Sequence, residues 1–119
     1  MTLRIAAAQY PIEAIMSWDA FEAKLRSWFA AASVNQADLL VFPEYGAMEL
    51  ARMAPHEVWC DLSASIDFVG GLRSRIDDLH ASLCRQHGVY ALASSLPERD
   101  PHDGHAYNVA RLVTPHGSI

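Results

Sequence analysis

Apolar and polar positions alternate along this chain with two different rhythms. Leu3 to Ala8 is a short apolar stretch followed by Pro11, which predicts a buried strand that stops before a turn. Trp18, Phe21, Leu25, Trp28, Phe29 and Ala32 then recur at steps of three and four, which predicts an amphipathic helix ending near Asn35. Ser17 and Asp19 both offer N-caps, and Asp19 with Glu22 has the spacing of a capping box. Glu22 and Arg26 stand one turn apart on the water-facing side, and Lys24, the one lysine in the chain, falls on that polar side too. Asp38-Leu39-Leu40-Val41-Phe42 is a continuous apolar run entered from a polar residue, the pattern of a parallel strand buried on both faces. Pro43 ends it, because proline cannot donate to a ladder. Strand, helix and buried strand in that order predict a βαβ unit and an α/β fold.

Beyond the second strand, 45–65 reads as irregular, with a short helix over Met48 to Met53. A second long helix is expected from Leu72 to His87, with Leu72, Ile76, Leu79 and Leu83 as its stripe and Gly88 in the left-handed position after it. Two further strands, Val89 to Ala93 and Tyr107 to Thr114, flank a polar turn region from Pro97 to Gly104. Thr114-Pro115-His116-Gly117 reads as a turn, with Pro at its second position and Gly at its fourth. Only Ser118 and Ile119 follow, so the expectation is a single partial domain over 1–119, an N-terminal piece of something longer.

Composition narrows the classes. Half the chain is apolar (51%) and 19% is charged, so a packed core is expected and disorder is not. Nine basic against fourteen acidic residues give a net charge of −5, which argues against a nucleic-acid partner. No apolar run approaches the roughly 18 residues of a membrane helix. The apolar stretch at the N-terminus is too short for a signal peptide, so a cytoplasmic protein is expected. Cys60 and Cys84 form neither a disulfide framework nor a zinc spacing, and both are expected as free thiols. His102 and His105 lie in a Pro/Gly turn with Asp100 and Asp103, which reads as a solvated loop; no metal or cofactor is expected. His80 and His87 are expected on the wet flank of the second long helix.

Chemistry concentrates at one place. Glu44 stands at the exit of the second strand in Phe42-Pro43-Glu44-Tyr45-Gly46, and ligands of α/β sheets bind beyond the C-terminal ends of parallel strands. Partial burial at such a site turns a glutamate into a base effective near neutral pH. The other reading is a surface carboxylate, or one at the N-terminus of the short helix that follows. Tyr45 comes next in the chain; its ring either lines a substrate pocket or packs under that helix.

Phe42-Pro43-Glu44 after Asp38-Leu39-Leu40-Val41 resembles the first signature of the nitrilase superfamily of carbon–nitrogen hydrolases. Arg4 to Pro11 resembles that family's first strand, and Ala91-Leu92-Ala93-Ser94-Ser95 its third. Tyr107 to Ile119 resembles the Asn-containing strand and turn that precede its catalytic lysine. The matches run in family order along essentially the whole chain.

The resemblance implies the N-terminal half of an α-β-β-α sandwich and a Glu–Lys–Cys triad. In such a triad a cysteine attacks an amide or nitrile carbon to form an acyl-enzyme, and Glu44 serves as general base. It implies a small-molecule amide or nitrile substrate, with amidase-type members favoured, and a homodimer in the full-length form. The lysine and cysteine are expected beyond Ile119, so the 119 residues alone are expected to be inactive. Lys24, Cys60 and Cys84 do not have the settings of the missing pair, and Asn108 either orients the site or, as the first choice, bonds the backbone as a structural residue. The alternative is a non-catalytic α/β module that binds a ligand or another chain.

Overall fold

Two short parallel pairings and one long hairpin build the sheet. The computed structural model describes residues 1–119. Strands β1 (Ile5–Ala7), β2 (Leu39–Val41) and β3 (Tyr90–Arg99) run parallel, and β4 (Ala106–Val113) returns antiparallel along β3, in the order β1-β2-β3-β4. Helix α1 (Trp18–Val34) connects β1 to β2. A 3-10 helix (Gly46–Met53), α2 (His56–Trp59), α3 (Leu62–Gly71) and α4 (Arg73–His87) connect β2 to β3. No helix is long and apolar enough to cross a membrane.

Helix α1 is capped by Ser17, whose Oγ accepts from Ala20 N at 3.2 Å, so of the two candidate caps the chain uses the first. Its stripe buries Phe21, Leu25, Phe29 and Ala32, while Glu22 pairs with Arg26 at 2.7 Å on the other side. Gly88 ends α4 with φ of 63°, a left-handed conformation open to glycine at no steric cost. The turn at Thr114–Gly117 closes with Gly117 N donating to Thr114 O at 2.8 Å.

The strand registers divide the sheet into two faces. Leu40, Ala91 and Val113 lie in one row of the inner face, and each is at most 1% exposed in the core shared with Phe29, Ile76 and Leu83. Ile5, Tyr90 and Leu112 point the other way and are exposed. One helical layer and one sheet are therefore present, the α-β half of the expected sandwich. The expectation that Asp38–Phe42 is buried on both faces is corrected: Leu40 and Phe42 are buried, but Leu39 and Val41 are only half-covered. Helices cover one face alone.

Three further expectations are corrected. The stretch read as irregular contains α3, started by Asp61, whose Oδ1 accepts from Ala64 N at 2.7 Å. Gly70-Gly71 closes that helix. A methyl group on Gly70 would sit 3.0 Å from Pro97 O, so the glycine lets α3 lie close on β3. Strand β3 extends through Pro97 to Arg99, well past Ala93. Proline is tolerated there because β2 has already ended at Val41, leaving Pro97 no neighbour on that side to donate to. His80 is 2% exposed instead of solvated: its Nδ1–H donates to Ile76 O at 2.8 Å, and Phe29 and Phe42 meet its ring edge-on. Burial among these rings pulls its pKa down to about 4, so it is neutral at pH 7.

Candidate active site

The strand β2 stops at Val41, and the chain turns sharply over the next five residues. Phe42 N still donates to Leu92 O at 3.0 Å, which keeps the exit aligned with β3. Pro43 then breaks the ladder. Tyr45 takes a left-handed conformation, φ 57°, uncommon for a residue with a Cβ. Its backbone N–H donates to Ser95 Oγ at 2.8 Å, which fixes the turn to β3. Gly46 completes the fit: a methyl group at its Cα would overlap the Ser94 hydroxyl, so only glycine lets the 3-10 helix start this close to the sheet.

This turn presents Glu44 on the open face of the sheet, where Asn108 Nδ2 donates to Glu44 Oε1 at 2.7 Å. The carboxylate is exposed, not partly buried as expected. A shallow cavity of about 250 Å³ surrounds it, walled by Pro43, Leu92, Ser95, Asn108 and Ala110. Next to it lies a second cavity of about 410 Å³, into which Tyr45 contributes. Asn108 lines both. The structure thus brings together Glu44, Tyr45 and Asn108 from two segments far apart in sequence. Pairing alone did not reveal Ser94 and Ser95. The only signal in the chain was a hydroxyl pair at the end of an apolar strand.

A second carboxylate sits a short step away. Glu49, on the 3-10 helix, is 3% exposed. It accepts the Tyr10 hydroxyl, Glu13 N at 3.2 Å and Lys24 Nζ at 2.7 Å. Lys24 also pairs with Glu13 at 3.1 Å, bonds Pro11 O and lies 4.0 Å from the centre of the Tyr10 ring. The expectation that Lys24 faces water is therefore corrected. Its stem climbs the helix flank and its ammonium closes a buried cluster. Burial, then the adjacent Glu49 carboxylate, raise the Tyr10 phenol well above its ordinary range, so it remains a hydrogen-bond donor. The cluster ties the 3-10 helix behind Glu44 to α1 and to the segment that follows β1.

Neither thiol joins Glu44. Cys84 is buried in the core, and burial pushes its thiol up to about 12, far from the thiolate a nucleophile needs. Cys60 ends α2 in solvent, with Sγ 3.4 Å from His56 Nε2, and lines neither cavity beside Glu44. In the hairpin turn, Asp100 accepts His102 N at 2.7 Å, and Asp103 accepts His105 N at 2.8 Å and the Tyr107 hydroxyl at 2.7 Å. The turn's carboxylates are thereby engaged in holding its own backbone. His87 is half-buried against Phe29.

No family model matches the chain. Among curated proteins it is 27% identical to a formamidase of Bacillus cereus (strain Q1), over 96% of this chain and 33% of that protein. A formamidase of Bacillus thuringiensis (strain Al Hakam) is 26% identical over the same shares. Among solved structures, an amidase from Nesterenkonia sp. superposes with a TM-score of 0.58 at 22% identity, covering 97% of this chain and 39% of that one. A double mutant of the amidase from Nesterenkonia sp. AN1, with one Glu changed to Gln and one Cys to Ala, in complex with acrylamide, superposes at 0.57. The chain spans about a third of the length of the curated relatives it matches.

Proposed function

We propose that this chain, which has the fold and sequence pattern of an N-terminal portion of the nitrilase superfamily, supplies the general base of a carbon–nitrogen hydrolase, and that the base is Glu44. The observation that carries the reading is the placement of one carboxylate. Glu44 leaves the C-terminal end of a parallel strand onto the uncovered sheet face, held by a single side-chain donor, Asn108, beside two cavities. A carboxylate held on one oxygen keeps lone pairs free to take a proton.

In the proposed reaction Glu44 takes the proton of a cysteine thiol. The thiolate attacks the amide carbon, and a lysine stabilises the developing oxyanion. The tetrahedral species collapses, the C–N bond breaks, and the amine leaves with the proton from Glu44. A water then gives a proton to Glu44 and its oxygen to the acyl group, releasing the acid and restoring the thiol. The lysine and the cysteine belong to the rest of the protein in this reading. The formamidase and amidase relatives support it, as does the acrylamide-bound neighbour altered at one Glu and one Cys. The open face with Ile5, Tyr90 and Leu112 fits a second sheet packed against it. The same reading has a small amide or nitrile as substrate, a homodimer as the full-length form and the cytoplasm as its location.

The test is Glu44→Gln in the full-length protein. Turnover of amides is expected to fall by roughly 10²–10⁴-fold, the range for loss of a general base. Activity retained within a few fold overturns the reading. The same open face also favours a second reading, a non-catalytic module whose sheet pairs with another chain. That reading predicts a stable complex that Glu44→Ala leaves intact, and no amide turnover.

A further inference from the structure

We infer that the larger cavity beside Glu44 receives a hydrocarbon substituent of the scissile amide, so that the substrate is an amide bearing a chain or ring of several carbons, not formamide or acetamide. The inference rests on the hydrolase reading above and names its substrate class.

The cavity of about 410 Å³ falls in the size range of small-molecule sites. Its wall is Tyr45, Met48, Leu62, Ile66, Tyr107 and Asn108, with Pro97 and Ala106 behind them. No charged side chain lines it. Two polar residues link the cavity to the base: Asn108 holds Glu44 at 2.7 Å and lines the cavity as well, and Tyr45 directly follows Glu44. A substrate carbonyl placed beside Glu44 therefore has an apolar chamber next to it.

Two features make this chamber a built one. Leu62 and Ile66 stand one turn apart on α3, so both face the same way. That helix is pinned at both ends, by the Asp61 cap and by the close Gly70–Pro97 approach. Leu62 is nonetheless 73% exposed and Tyr45 45%, large apolar surfaces left uncovered at the rim. A three-heavy-atom amide would leave most of the chamber filled with water against apolar walls. A longer substituent displaces that water, and each methylene buried is worth roughly a fourfold gain in binding.

Hydrolysis consumes one water: the amide C–N bond breaks, a C–O bond forms, and an acid and an amine leave. The inference concerns only what the substituent rests on. It is tested in the full-length protein with two series, primary amides from acetamide to hexanamide and acetamides N-substituted from methyl to butyl. In at least one series kcat/KM is expected to rise by roughly fourfold per carbon until the chamber is full. Ile66→Trp, which fills the chamber, is expected to cut the ratio of kcat/KM for the longest to the shortest member at least tenfold. Ile66→Ala, which enlarges it, is expected to move the optimum to a longer member and serves if the tryptophan variant misfolds. Hydrolysis with a flat or falling ratio in both series overturns the chamber alone. Hydrolysis of neither series overturns the chamber and the hydrolase reading together.

Discussion

Glu44 and Glu49 lie five positions apart, and the fold treats them as opposites. Glu49 is enclosed: a phenol, a backbone N–H and an ammonium converge on it, and its burial keeps a ligand from what acceptor capacity remains. Glu44 is exposed and meets one amide donor. Charge alone does not tell them apart, and neither does residue type. What separates them is the number of donors each has already taken up, since a buried carboxylate must be paired while one left partly free can do chemistry. The only lysine in the chain goes to the structural acid and not to Glu44.

The largest expected effect tests the enclosed half of this contrast. Lys24→Met removes the cation and leaves Glu49 buried without its charge partner. Unfolding in urea is expected to show a loss of about 3–5 kcal/mol, the cost of breaking a buried pair. A loss below about 1 kcal/mol would show that the pair is solvated and the contrast false.

His80 extends the contrast to pH. Its folded-state pKa of about 4 lies below the ordinary histidine value of 6.5, so the unfolded chain binds the extra proton first. The stability this histidine contributes is complete above pH 6.5 and falls as pH drops toward 4, by about 1.4 kcal/mol per pH unit within that window. Urea midpoints measured from pH 7 to pH 4.5 are expected to fall along that slope, and His80→Leu should flatten it. An unchanged slope would sink the assignment.

Gly46→Ala comes next. Its new methyl group overlaps the Ser94 hydroxyl, and the turn has to shift by a cost of about 1–3 kcal/mol, seen as a lower Tm. Pairing it with Ser94→Ala should recover part of that loss, because the clash is with this one side chain. The smallest effect belongs to Glu44→Gln. Its stability change is expected to stay within about 0.5 kcal/mol, because an exposed carboxylate with a single partner holds little of the fold together. A large loss of stability there, matching that of Lys24→Met, would erase the difference between the two acids.

Much of the architecture was legible beforehand because it depends on near neighbours. The three- and four-residue spacing from Trp18 to Ala32 was enough for α1, Ser17 for its start and Gly88 for the end of α4. Helix α3 escaped notice because its polarity contrast is weak. Leu62, Ile66 and Val69 are diluted by Ser63, Ser65 and Gly70-Gly71, and what stabilises the helix is its packing on the 3-10 helix and β3. His80 was misplaced for a similar reason. A histidine between Leu79 and Ala81 reads as a flank residue until Phe29 and Phe42 arrive from α1 and the end of β2 to enclose it.

Glu44 itself was found from the chain, through its place after an apolar strand and before a turn. Lys24 was placed wrongly because its partner, Glu49, lies 25 positions away, and helical periodicity carries no information about a contact that distant. Sequence alone settled β1, α1, β2, α4 and β4, and which acid stands at a strand exit, since backbone preferences and side-chain period act over a few residues. Which acid is enclosed, which is free, and which apolar walls stand beside the free one were decided only by the fold. Glu49 is enclosed when α1 and the segment after β1 close on the 3-10 helix, the walls beside Glu44 form when β4 and α3 come up to the turn, and no local pattern records those meetings.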